Sequence, residues 1–194
     1  EWVKVDNEFT QFDGFVGTIN ASVSGGLNTL SGASTFVTVC KHTAASYKSN
    51  EFLISGNTKN NLRIYWVSST SFAIILAGPN ISNNIQKRYD SSVTQLFDNN
   101  LKLIVTSYDG LETTSGINLY VDDMVNVVTN TSAPTTGTYA NDQYFDSGGI
   151  RVGYGGSTNE DYQGFIYETL VFNKELSQSE RETLKEILEQ YYTF

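Results

Sequence analysis

Residues 164–192 read GFIYETLVFNKELSQSERETLKEILEQYY, and the reading of this stretch decides the fold. Phe165 to Phe172 is rich in aromatic and β-branched residues and contains no Gly or Pro, which predicts a strand. Its two parities, Ile166/Leu170/Phe172 and Phe165/Tyr167/Val171, are both apolar, so both faces of the strand are expected to be covered. Asn173-Lys174-Glu175 then turns the chain. Ser177 followed by Glu180 is a capping box: the hydroxyl takes one orphan N–H of the first helical turn and the carboxylate reaches back to another. Leu184, Ile187, Leu188 and Tyr191 follow at i, i+3, i+4 and i+7, one apolar stripe that is expected to be buried. A buried strand therefore feeds a short amphipathic helix.

Outward from this stretch, the 194 residues suit one domain spanning 1–194. Apolar residues make up 39% and charged residues only 17%; Ser, Thr, Asn and Gly fill the gap, as expected of many short strands joined by turns. No apolar run approaches the length of a membrane span, so no membrane insertion is expected. The formal net charge of −9 argues against nucleic acid as a partner, because that affinity comes mainly from Lys and Arg neutralising phosphates. The one cysteine, Cys40, has no partner for an internal disulfide and reads as a buried, inert thiol in the strand-like run Phe36–Cys40.

Strand patterns recur along the chain. Trp2–Val5 reads as an edge strand, 35–41 and Glu51–Ser55 as further strands. Leu62, Ile64 and Trp66 share one face of a strand, and Phe72, Ile74 and Leu76 one face of the next, with a short polar connection that predicts a hairpin. Residues 80–100 read as polar and irregular. Leu101–Tyr108 is a strand with Leu101, Leu103 and Val105 on one side. Ile117–Val121 and Val125–Val128 flank Asp122-Asp123-Met124 as a second hairpin. A loop rich in Thr, Asn and Gly covers 129–148, Ile150–Tyr154 is a strand, and 155–163 is a polar loop.

Gly164-x-Ile166-x-Glu168, the apolar run to Phe172-Asn173, and Leu176-Ser177-x-x-Glu180 with its closing helix resemble the C-terminal signature of laminin-G-like domains, members of the concanavalin A-like lectin/glucanase sandwiches. The run LKLIVTSYDG, ending at Gly110, and INLYVDD, starting at Ile117, resemble the middle of the same domains. The resemblance implies an all-β, two-sheet antiparallel jelly-roll sandwich with one short C-terminal helix on its outside, covering an end or edge. It implies a structural role for Glu168. It also implies at most one structural calcium at a loop rim, for which Asp109, Asp142, Asp146 and Asp161 are candidates. The fold hosts lectins, glycosidases, lyases and adhesion modules, so function has to be argued from the site.

Catalytic constellations are missing from the sequence. The related glucanases carry Glu-x-Asp-x-x-Glu on one strand, and no strand here has that spacing. Tyr144-Phe145-Asp146-Ser147-Gly148 partly echoes a motif of alginate lyases, with Asp in place of their Lys, and their Gln-Ile-His motif is absent. The only histidine, His42, stands at a strand end, where a surface or capping role is expected, and one His with one Cys does not make a zinc site. The expected function is a non-catalytic, lectin-like module that binds a glycan or cell-surface receptor. It is expected outside the cell or on a virion surface, within a larger chain or a homo-oligomer. The alternative is a structural, decoration or fibre-tip domain of a virus or phage particle, and the second alternative a polysaccharide lyase or glycosidase. The expected binding residues lie in two polar loops: Tyr139, Asn141, Asp142, Tyr144 and Asp146 in the first, Asn159, Asp161 and Tyr162 in the second. Both loops are expected to leave neighbouring strands, if sheet order follows chain order. Trp66 and Tyr65, on opposite faces of one strand, form a rival pair, with Trp66 on the core side.

Overall fold

The computed structural model describes residues 2–13, 32–43, 50–56, 62–77, 84–90, 96, 98–129, 135–136, 150–155 and 160–194. The strand expected from residues 165–172 is β11 (Gln163–Phe172), which lies between β1 (Trp2–Asp13) and β2 (Ser34–His42), antiparallel to both. With β7 (Leu101–Tyr108) and β8 (Ile117–Val121) they form a five-stranded sheet in the order β1-β11-β2-β7-β8. The second sheet contains β3 (Glu51–Gly56), β4 (Leu62–Ser68), β5 (Ser71–Ala77), β6 (Asn84–Asp90), β9 (Thr135–Thr136) and β10 (Ile150–Val152). Its order is β10-β3-β4-β5-β6-β9, again antiparallel. The two sheets enclose the main core, in which Phe36, Ile104, Leu119, Ile166 and Val171 of the first sheet meet Leu62, Trp66, Phe72, Leu76 and Ile150 of the second. The expected antiparallel β-sandwich with a short C-terminal helix is what forms.

One extra residue decides which side chains of β11 face that core. The pairing of β11 with β2 runs Ile166↔Cys40 and then Glu168↔Val39, so Tyr167 is a bulge. Simple alternation puts Ile166 with Leu170 and Phe172. The bulge instead puts Ile166 with Val171 in the inter-sheet core, while Tyr167, Leu170 and Phe172 join the cluster on the outside. Gly164 of the signature has a steric reason. A Cβ there would stand 2.0 Å from the Lys41 carbonyl oxygen and 3.0 Å from the Cα of His42, its partner on β2. Only glycine lets the two backbones close at that point.

The helix α1 (Gln178–Leu188) begins at the capping box: Ser177 Oγ accepts from the Glu180 N–H, and the Glu180 carboxylate accepts from the Ser177 N–H at 2.9 Å. It does not cover an end or edge of the sandwich. It lies on the outer face of the five-stranded sheet, where Leu188 and the half-buried Leu184 pack with Val37, Val39, Leu103, Val105 and Leu170. The expected stripe is correct only in part: Ile187 is 48% exposed and Tyr191 77%. Arg181 is buried in their place. Its guanidinium lies 4.0 Å from the Tyr120 ring centroid and donates to the Leu176 carbonyl at 2.6 Å and the Met124 carbonyl at 3.2 Å. The cation thus ties the helix to β8 through the Tyr120 ring, to the turn after β8 through Met124, and to its own entry through Leu176.

Two further expectations change. Residues 84–90, within the segment read as irregular, form β6; its outward Asn84, Gln86 and Arg88 hide the strand signal, and Lys87 interrupts the inward pair Ile85/Tyr89. Lys87 donates to the Ile117 carbonyl across the sandwich. Val125–Val128 is not a strand: Asp123 instead caps a tight turn by accepting from the N–H groups of Val125 and Asn126.

Candidate functional site

The outer face of the six-stranded sheet gathers three arginines. Directly opposed residues share a face, so the register gives two rows across the strands. One runs Arg151–Ser55–Arg63–Ile75–Gln86 and the other Phe52–Tyr65–Ala73–Arg88. Arginine occurs four times in the chain, at 63, 88, 151 and 181, and the first three stand on this one face. All three are half-buried.

Each arginine is positioned by its neighbours. Arg88 Nε donates to Ser71 Oγ at 2.7 Å. Arg151 lies 5.7 Å over the Tyr154 ring, and the Tyr154 carbonyl accepts from Ser55 Oγ at 2.7 Å. Arg63 hydrogen-bonds the Tyr65 hydroxyl. Burial raises the pKa of that hydroxyl, and the positive charges of Arg63 and Arg88 act to lower it. Tyr65, 8% exposed, stacks on Phe52 with centroids 4.8 Å apart and planes 11° from parallel. Phe52 is held in turn by Gly155, where a Cβ would come 2.3 Å from the ring. Ala73, Ile75 and Ala77 of β5 share this face with Phe52 and Tyr65.

A second polar cluster lies inside the sandwich. His42 Nε2 is 2.8 Å from Glu51 Oε2, and both side chains are buried. Glu51 Oε2 also accepts from the Gln163 N–H at 3.3 Å. The Tyr162 ring packs edge-on to His42 and against Trp66. The expected surface role of His42 is therefore overturned: the residue points inward, and Glu51, which the sequence does not single out, is its partner.

Of the residues expected to bind ligand, Tyr139, Asn141, Asp142, Tyr144, Asp146 and Asn159 lie outside the described residues. Tyr162 is in the core at 0% exposure; it follows Asp161 as the chain crosses from one sheet to the other and turns into the sandwich, so its ring offers no surface to a ligand. Asp161 is half-buried, next to Glu160, whose carbonyl accepts from the Phe52 N–H at 3.1 Å. The two loops do not leave neighbouring strands, because β10 edges one sheet and β11 belongs to the other. Of the other calcium candidates, Asp109 accepts from the Leu111 N–H at 2.8 Å and shapes its turn. Among the described residues no group of three or more His, Cys, Asp or Glu could hold a metal ion. Trp66 takes the core position expected of it, and Tyr65 the outer one.

Two grooves of about 490 and 480 Å³ flank α1, lined mainly by Phe172, Leu184, Ile187 and neighbouring residues. The first also takes in Asn173, Lys174, Ser179, Glu180 and Thr183, the second is mainly apolar, and neither holds an arginine. The described helix is too short to cross a membrane.

No protein-family model and no curated protein matches the sequence. Solved structures do match in fold. The CBM40 module of the Ruminococcus gnavus IT-sialidase, bound to α2,6-sialyllactose, has a TM-score of 0.60 at 12% identity, over 95% of this chain and 98% of that one. The same module with α2,3-sialyllactose has a TM-score of 0.58 at 14% identity, over 95% and 96%. A botulinum neurotoxin type C structure, whose cell entry depends on interaction with two ganglioside molecules, has a TM-score of 0.55 at 13% identity. There 83% of this chain is covered, and it spans 37% of the toxin chain. The shared feature is the β-sandwich, and among these neighbours it serves carbohydrate-binding modules and toxin binding domains.

Proposed function

We propose that the chain is a non-catalytic glycan-binding module that takes an acidic sugar on the outer face of its six-stranded sheet. The observation that carries this reading is the gathering of three of the four arginines on that face, Arg63 and Arg88 on the two sides of β5. A guanidinium forks onto a carboxylate with two parallel hydrogen bonds, and its flat face stacks on rings. The chain carries a net charge of −9, so an acidic ligand is repelled overall and must be held by local guanidiniums. Neighbours of the same fold were solved with sialyllactose, an acidic glycan. The C-terminal signature supports placement among the concanavalin A-like sandwiches, and such a module would meet its glycans outside the cell.

Isothermal titration with 3′-sialyllactose and with lactose tests the reading. Sialyllactose should bind at least about tenfold more tightly, roughly 1.4 kcal/mol. Arg63→Ala should remove that preference while leaving the melting temperature within a few degrees. Equal binding of the two sugars, or none of either at millimolar concentration, would sink it.

A further inference from the structure

The arginines stand on alternate strands. In the order β10-β3-β4-β5-β6-β9, Arg151 is on β10, Arg63 on β4 and Arg88 on β6. Arg151 and Arg63 are both paired with Ser55 of the strand between them, so their Cα atoms are about 10 Å apart at the usual strand spacing. Arg88 is two strands beyond Arg63 and two residues along, opposite Ala73, which in turn opposes Tyr65. Ser55 stands between Arg151 and Arg63, while Ile75, directly opposite Arg63, and Ala73, directly opposite Arg88, stand between the other two cations. From β10 to β6 the three cations span about 19 Å.

A single terminal acid sugar needs one such cation, or two converging on it. Three on alternate strands match a ligand that carries its charges at intervals. We propose that the natural ligand is a linear acidic polysaccharide lying across the strands, with a carboxylate on every second sugar meeting successive arginines. This rests on the reading of the face as an acidic-glycan site and names the ligand class. Arg63, held by Tyr65, anchors the middle; Arg151 and Arg88 take the carboxylates on either side. Gln86, in the same row as Arg63, offers an amide to sugar hydroxyls. Linking several weak contacts on one chain raises affinity with length until the face is filled.

The experiment uses the unaltered protein first. Hyaluronan oligomers of two, four, six and eight sugars, which carry a carboxylate on every second sugar, are compared by titration with 3′-sialyllactose. Affinity should rise at least about tenfold from the disaccharide to the hexasaccharide and then level off. Arg151→Gln and Arg88→Gln, with unchanged melting temperatures, should each weaken the hexasaccharide at least about fivefold and flatten the dependence on length. An affinity independent of length, with only Arg63 mattering, overturns the polysaccharide and leaves a single-acid site. Absence of binding to every acidic sugar, sialyllactose included, overturns the underlying reading as well.

Discussion

His42 Nε2 lies 2.8 Å from Glu51 Oε2, and this contact ties the five-stranded sheet to the six-stranded one across the end of the core. Both side chains are almost wholly out of water, so the contact between them is a buried polar pair, to which the Gln163 N–H adds a second donor for Glu51. Removing one partner of a buried pair leaves the other uncompensated and costs about 3–5 kcal/mol, whereas replacing both with apolar groups of similar shape can be close to neutral. Glu51→Ala should therefore lose that much stability in urea unfolding. The double variant His42→Phe/Glu51→Leu should recover most of it. A single-variant loss below about 1 kcal/mol would show that the pair does not hold the sheets together.

The helix gives a contrast between adjacent residues. Leu188 is 3% exposed and Ile187 48% exposed, although both belong to the apolar stripe read from the sequence. Leu188→Ala should cost about 2–5 kcal/mol. Ile187→Ala should stay within about 1 kcal/mol, because its side chain already meets water on one side. Arg181→Ala should cost on the order of 3 kcal/mol, since it leaves the Leu176 and Met124 carbonyls without this donor and removes the cation from Tyr120. Equal losses for Ile187 and Leu188 would contradict the docking of α1 described above.

The strands and the helix were legible where the local pattern was strong. Leu62/Ile64/Trp66 and Phe72/Ile74/Leu76 alternate cleanly, and each set lines the core. The Ser177/Glu180 box marks the start of α1 to the residue. What could not be read depends on contacts distant in sequence. The bulge at Tyr167 leaves no mark in composition, yet it exchanges the faces of Leu170 and Val171. The partner of His42 is nine residues away in the other sheet, and nothing local announces it. The arginine face escaped for the same reason: Arg63, Arg88 and Arg151 are far apart in the chain and meet only through the strand order. A polar strand such as β6 reads as loop because its outward polar side chains replace the apolar ones that would reveal it.

Cys40 is 2% exposed beside Tyr162, and burial pushes its thiol up to about 12. The thiolate is the reactive form, so this cysteine should be inert in the folded protein. Ellman's reagent at pH 8 should label it only as fast as the protein opens, and stoichiometrically in guanidinium. Prompt labelling of the native protein would mean that the core is open at that point.

Acid should act on the helix start at low pH only. The Glu180 carboxyl is held down at about 2 by its bond to Lys174 and by the Ser177 N–H and hydroxyl. Its folded pKa lies below the ordinary glutamate value of 4.5. The stabilisation is therefore complete above the unfolded value and disappears as pH falls from there through about 2. The Glu180 side-chain carbon resonance should titrate near that lower value, and Lys174→Ala should move it upward. A midpoint above 4 in the unaltered protein would show that the box is not formed in solution.

Gly155 and Phe52 give the last test. A Cβ on Gly155 would stand 2.3 Å from one carbon of the Phe52 ring and 2.7 Å from another. Phe52 cannot retreat freely, because it is stacked on Tyr65, and Tyr65 is bonded to Arg63. Gly155→Ala should therefore overpack the face and cost about 1–3 kcal/mol. Shortening the neighbour relieves the clash, so Phe52→Leu should cost less in the Gly155→Ala background than alone. A double-mutant cycle from urea unfolding measures that coupling, expected at about 0.5–3 kcal/mol in the favourable direction. Because the strain runs through Tyr65 to Arg63, Gly155→Ala should also weaken acidic-glycan binding, and the second substitution should not restore it, since the ring that supports Tyr65 is gone. Strict additivity of the two stability losses would mean that Gly155 does not press on Phe52.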